Sequence, residues 1–157
     1  MIPEEEFMKE AINEAKNGFK RNDYAIGAVV VKDDKIISRA FTSAKIKKDP
    51  TMHAEMLAIQ RASKELDSQY LQGCILYTTH EPCPMCSAAA IWAKMKGIVF
   101  GAYYSDAIEH VKEHSGRFSW RQIAISCKDV LGNGNPKLEL VEGFMNEECK
   151  KLFELNR

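Results

Sequence analysis

Two short stretches, His53-Ala54-Glu55 and Pro82-Cys83-Pro84-Met85-Cys86, constrain this chain more than any other feature, because each places metal-binding side chains where a helix begins. The first runs on as MLAIQRASKEL and the second as SAAAIWAKMK, and both have the apolar content of packed helices. Pro82 ahead of Cys83 suits a helix start, where free amides and the helix dipole favour the thiolate, the form that binds metal. One imidazole, two thiols and one carboxylate therefore lie at two helix starts about thirty residues apart. The fold has to bring those two starts to one point.

A Cys-x-x-Cys pair by itself fits a redox dithiol or half of a zinc ribbon. No second Cys-x-x-Cys is present to complete a four-ligand structural site. A His-x-Glu at the head of another helix is something a redox dithiol would not require. We read the set as a catalytic zinc site held by His53, Cys83 and Cys86, with the fourth coordination position left to water; a structural zinc and a redox pair are the alternatives. Glu55, two residues beyond the ligating His53, can stand beside the metal without binding it. There it would take a proton from the activated water and deliver it elsewhere. A first-turn Glu also complements the helix dipole, and the two roles are compatible.

Around these stretches the chain alternates strand and helix. Pro3 and the following glutamates open an amphipathic helix over residues 3–20, with Phe7, Met8, Ala11, Ile12, Ala15 and Phe19 at helical spacing. YAIGAVVVKDD–KIISRAF reads as a β-hairpin whose first run, nearly all apolar, is buried on both faces. KIKKDP, residues 45–50, reads as a basic loop, either a solvated turn or a contact to a substrate phosphate. A helix over 53–66, a strand at CILYTT, a helix from Cys83 to Lys96 stopped by Gly97, and a strand at IVFGA follow. Residues 105–114 read as helix, 115–136 as loop with a short helix, KLELVEG as a strand and NEECKKLFEL as a closing helix. This order predicts one α/β domain over residues 1–157 with helices covering a central sheet.

Zero net charge gives no global field towards nucleic acid, although a local basic patch is compatible with it. No apolar run approaches the roughly 18–20 residues of a membrane span. The MIPEEEFMKE start is acidic where a secretory signal would be basic and then apolar. With an odd count of five cysteines and no disulfide spacing, the expected location is a reducing one, the cytoplasm.

The chain resembles the zinc-dependent base deaminases, whose signature is H-x-E…P-C-x-x-C. The resemblance covers roughly residues 5–106, including AIGAVVV, DPTMHAE, LYTTHEPCPMC and IVFGA, and looks most like the branch of bacterial guanine deaminases and tRNA adenosine deaminases. It implies a three-layer α/β/α sandwich with a central mixed sheet, a homodimer, and one zinc per chain on His53, Cys83 and Cys86. It also implies that Glu55 shuttles protons while the exocyclic amine of a base leaves as ammonia. The substrate contacts it implies are Ile26, Thr42, Ala54, Trp92 and Asp106.

These point in different directions. Trp92, six residues after Cys86, and Asp106-Ala107 are similar to guanine deaminases. Ile26, in place of a phenylalanine, and the segment VEGFMNEECKKLF are similar to the tRNA enzymes, but a basic tail is missing and the chain ends in FELNR. Thr42 departs from both branches, which carry an asparagine eleven residues before the ligating histidine. The leading expectation is a purine such as guanine or guanosine. A tRNA wobble adenosine is the alternative, and a catalytically silent deaminase-like binding subunit is the alternative of another class.

His80 is read as a pocket, hydrogen-bonded or surface residue, and His110 and His114 as an exposed helix face rather than a metal pair. Cys74, Cys127 and Cys149 are read as packing residues. Tyr103, Tyr104, Phe118 and Trp120 are candidates for capping the site but safer as core, and Arg117 and Arg121 for contacting a phosphate but safer as surface.

Overall fold

The computed structural model describes residues 1–114 and 123–155. Helix α1 (Glu5–Lys20) leads into strands β1 (Gly27–Lys32) and β2 (Lys35–Phe41), and a short helix α2 (Ala44–Lys47) precedes α3 (Ala54–Glu65). Then come β3 (Ile75–His80), α4 (Pro84–Trp92), β4 (Gly97–Ala102), α5 (Tyr104–Glu113), α6 (Cys127–Gly132), β5 (Glu139–Val141), α7 (Asn146–Lys150) and a 3-10 turn at Lys151–Leu155. The five strands lie in the order β2-β1-β3-β4-β5. β1 pairs antiparallel with both β2 and β3, whereas β3, β4 and β5 run parallel, so the sheet is mixed. Parallel neighbours require a crossover, and α4 supplies the one between β3 and β4.

Helices cover both faces. Val29, Val31, Tyr77 and Val99 point to α1 and the C-terminal helices, where Phe7, Met8, Ala11, Ile12, Leu152 and Phe153 pack. Ala28, Val30, Leu76, Ile98 and Phe100 point the other way, to Leu57, Ala58 and Ala62 of α3, Ala90 of α4 and Leu131 of α6. This is the three-layer α/β/α sandwich, and the Val-rich run of β1 is buried on both faces, as its composition implied. Gly27 lets α1 press directly on β1, since a Cβ there would strike the Ala11 carbonyl. The N-termini of α3 and α4 meet at the carboxyl end of β3, the kind of edge on which α/β sheets place their sites.

Several boundaries differ from the sequence reading. α4 ends at Trp92, not Lys96, because the chain turns through Lys94 at φ 54°, and Gly97 opens β4 instead of stopping the helix. The Leu71 amide, 2.6 Å from the Ala93 carbonyl, ties off that end. The KIKKDP segment contributes to a helical turn, α2, that stops at Lys48 in a left-handed conformation (φ 53°). The closing helix is divided between α7 and the 3-10 turn. Among the described residues no helix is long and apolar enough to cross a membrane.

Candidate metal centre and active site

His53 and Cys83 occupy equivalent places. Each is the extended residue immediately before a helix, at φ −72° and ψ 153° for His53 and φ −65° and ψ 170° for Cys83. Residues at this position commonly accept an amide of the first turn, but neither side chain does so here. Both are left to face the gap between the helices. Pro84 starts α4 at a position where its missing N–H costs nothing, and Cys86 follows within the same turn.

The ligand atoms of His53, Cys83 and Cys86 lie within 4.8 Å of one another, the only such metal-binding group among the described residues. His53 Nδ1 is 3.6 Å from both Cys83 Sγ and Cys86 Sγ. Tetrahedral zinc with bonds of about 2.3 Å to sulfur and 2.0–2.1 Å to nitrogen separates N and S by about 3.6 Å. The residues present therefore fit zinc, with Nδ1 as the imidazole donor. Cys83 is pushed down to about 4, first by its hydrogen bond with Cys86, while Cys86 is raised well above its ordinary value chiefly by the same contact. His53 is raised, first by its contact with Cys83.

Glu55 lies in the first turn of α3 and is buried. Thr78 Oγ1, on β3, is 3.0 Å from its Oε1 and 3.2 Å from the His80 carbonyl, while the Cys86 thiol lies 3.5 Å from Oε2. Burial raises its pKa, and the neighbouring His53 is the largest opposing influence. A buried carboxylate touching both a β-strand hydroxyl and a ligand thiol is held in one orientation beside the metal position.

Three of the predicted substrate contacts form a connected line at the same place. The Thr42 amide donates to the Ile26 carbonyl (3.0 Å), and the Ala54 amide donates to Thr42 Oγ1 (3.2 Å). Thr42 and Ala54 are buried, and Ile26 packs on the core beside α3. The other two stand elsewhere. Trp92 is 81% exposed, at the far end of α4 from Cys83, in a groove of about 530 Å³ that includes Ile91, Ile125 and Val130 but no zinc ligand. Asp106 Oδ2 accepts from the Tyr103 amide (2.8 Å) and from Asn146 Nδ2 (2.9 Å), which ties α5 to α7.

His80 is buried with Nδ1 3.0 Å from the Glu81 carbonyl, and burial lowers its pKa to about 4. His110 and His114 stack on each other at 4.0 Å. Cys74, Cys127 and Cys149 are buried, as packing residues should be, and burial lifts Cys127 and Cys149 to about 12. Tyr103 packs edge-on against Phe100 at 5.2 Å, and the Tyr104 amide donates to Glu81. Arg117, Phe118, Trp120 and Arg121 lie outside the described residues.

The residue that sequence reasoning passed over is Glu81. Its buried carboxylate accepts the Tyr104 amide at Oε2 (3.0 Å) and the Cys127 amide at Oε1 (2.9 Å), two residues before the first thiol ligand. A lone acid wedged between a strand and Pro82 was the available signal, because a carboxylate at a buried strand end needs donors.

The model of the cytidine and deoxycytidylate deaminase zinc-binding region matches residues 1–102. The chain belongs to this zinc-binding deaminase family. A tRNA-specific adenosine deaminase of Bacillus subtilis is 36% identical over 149 residues, covering 95% of this chain and 85% of that protein. A protein of the same name from Aquifex aeolicus is 47% identical over 98 residues, which span 62% of this chain and 65% of that relative's length. The guanine deaminase of Bacillus subtilis is 42% identical over 106 residues, or 67% of this chain and 68% of that protein. Among solved structures, one from a study of A-to-I editing by tRNA:A34 deaminases superposes with a TM-score of 0.79 at 27% identity, covering 95% of this chain and 99% of that one.

Proposed function

We propose that this protein is a zinc-dependent hydrolytic deaminase of adenosine in tRNA, reversing the order of preference that Trp92 and the neutral charge had given. One observation carries the reading: likeness to the tRNA-specific adenosine deaminase of Bacillus subtilis runs through 95% of the chain, whereas the match to the guanine deaminase of the same organism covers 67%. The C-terminal segment VEGFMNEECKKLF, which contains α7, is similar to the tRNA enzymes and supports the same reading.

Zinc on His53, Cys83 and Cys86 supplies Lewis-acid chemistry that makes water nucleophilic near neutral pH. Glu55 removes a proton from the attacking water and returns one to the departing nitrogen; its buried carboxyl, fixed by the Thr78 hydroxyl, is oriented for both transfers. The water oxygen bonds to the ring carbon bearing the exocyclic amine, the C–N bond breaks, and ammonia leaves. Ile26, Thr42 and Ala54 form the wall against which the base lies. Five free cysteines fit a reducing compartment, and we place the protein in the cytoplasm as one domain over residues 1–157 that pairs as a homodimer.

The test is ammonia release from a tRNA anticodon stem-loop, beside guanine, guanosine and adenosine. Turnover is expected on the RNA. Turnover of guanine with none on RNA would return the assignment to the guanine branch. Glu55→Gln should keep one zinc per chain and lose about 10²–10⁴-fold in kcat. Normal turnover by that variant would remove Glu55 from the proton path.

A further inference from the structure

Between Thr42 and His53 the chain leaves the sheet and returns to the metal site, and both ends of this excursion are pinned. The Ser43 amide donates to the Met52 carbonyl (2.9 Å), and the Ala54 amide donates to Thr42 Oγ1 (3.2 Å). The segment in between carries Lys45, Lys47 and Lys48, all exposed, with Ile46 exposed among them. Its shape comes from Asp23, a buried carboxylate whose Oδ2 accepts the amides of Lys45 and Ile46 at 3.0 Å each, while Oδ1 takes the Tyr24 amide at 2.8 Å. Asp23 therefore spends its lone pairs on the backbone of α2 and not on a lysine ammonium. Asp49, the one carboxylate within the segment, turns to the Thr51 amide and hydroxyl at 2.9 and 2.7 Å. None of the ion pairs among the described residues involves these three lysines.

Three cations without a carboxylate partner thus sit on a braced turn whose base is the His53-Ala54-Glu55 corner. In a chain of zero net charge this is a local asymmetry. Lys45 Nζ stands 4.1 Å from the centre of the Tyr24 ring, which extends the surface with an aromatic face, and Ile46 adds an apolar one. Cations interleaved with aromatic and apolar groups suit a single-stranded nucleic acid, whose phosphates meet the charges and whose bases meet the flat faces. A free base has no phosphate to place there.

We propose that α2, with Lys45, Lys47 and Lys48, is the surface that binds the RNA backbone beside the reacting nucleotide. This rests on the tRNA reading above and gives a chain of zero net charge a short basic surface on the segment that leads into His53. The lysines act as point charges on phosphates, so they contribute affinity and salt dependence without reading sequence.

The experiment uses the full-length, zinc-loaded protein and a fluorescent anticodon stem-loop RNA, with affinity measured by anisotropy between about 50 and 200 mM salt. Replacing all three lysines by glutamine should weaken binding at least tenfold. It should also flatten the slope of log affinity against log salt by roughly two to three, near one unit per lost phosphate contact. Melting temperature and zinc content serve as folding controls, and the triple lysine-to-arginine variant should retain the wild-type slope. An unchanged slope in the glutamine variant would overturn the proposal, as would equal loss of slope in the arginine variant. The two readings fail separately. RNA deaminated with wild-type salt dependence by the glutamine variant removes this surface but keeps the tRNA activity. RNA bound through the lysines but never deaminated keeps the surface and removes the activity.

Discussion

Thr42 shows what one hydroxyl can decide. The first amides of a helix have no partner inside it, and the residue before α3 is His53, whose imidazole faces the thiols instead of the backbone. The Ala54 amide is therefore taken from outside the helix, by Thr42 Oγ1 at the end of β2. The family resemblance made Thr42 a base contact, and the structure adds a second duty, bracing the corner that carries both His53 and Glu55. Thr42→Val keeps the shape but removes the acceptor, leaving a buried amide unsatisfied at a cost of about 1–3 kcal/mol. Because the turn that loses this hydrogen bond bears a ligand, zinc affinity should fall about 10-fold or more, in the range of mutations that support metal ligands indirectly. Chelator competition and thermal denaturation measure the two effects, and Thr42→Ser should restore both. A Val variant with wild-type zinc affinity but altered base preference would leave the hydroxyl as a substrate contact alone.

At the scale of elements, Glu81 ties two helix starts to the strand end from which the thiol ligands follow. One carboxylate holds the N-terminus of α5 through the Tyr104 amide and that of α6 through the Cys127 amide, and it does so from the residue that precedes Pro82 and Cys83. Glu81→Gln replaces one acceptor oxygen by an NH₂ that must face a backbone N–H. The variant should lose about 1–3 kcal/mol of stability, and amide exchange at Tyr104 or Cys127 should accelerate at least tenfold while the sheet amides stay protected. Uniform protection in the variant would show that packing alone fixes these helices. The sequence was most readable where one local pattern dominated, as in the helical spacing of apolar residues in α1, the double-sided burial of β1, and the His-x-Glu and Pro-Cys-x-x-Cys helix starts. It was least readable where a tertiary contact set the outcome. The end of α4 follows from a left-handed Lys94 and the Leu71 amide, not from Gly97. The helical turn α2 exists because Asp23, twenty-two residues before Lys45, caps it. No local window contains those partners.

For the whole molecule, the open question is what covers the outer surface of α4. Trp92 is 81% exposed, and Ile125 (50%) lies across the adjoining groove, with Ile123 (57%) nearby. An aromatic of this size is among the residue types that dominate protein interfaces when buried at their centre. In a two-fold dimer one patch meets its own copy, so a projecting Trp92 and the groove beside it can serve as knob and hole in both directions. A stable pairing needs roughly 800 Å² from each partner, so neighbouring residues of α4 and α6 must join the contact. The wild-type protein should then sediment as a dimer at micromolar concentration. Trp92→Glu places a charge at the centre of the contact and should raise the dimer dissociation constant at least about 30-fold, equivalent to about 2 kcal/mol. Because Trp92 makes its proposed contact outside the chain's own core, the variant should still bind one zinc. α4 starts directly after Cys83 and ends at Trp92, so bracing its outer end against a second copy also steadies the helix start that carries two of the three ligands. The monomeric variant should therefore release zinc to a chelator faster than the dimeric wild type, and that difference should vanish when the wild type is diluted below its dimer dissociation constant. Equal release rates at every concentration would separate assembly from the metal site, and a wild-type protein that stays monomeric would remove the dimer itself.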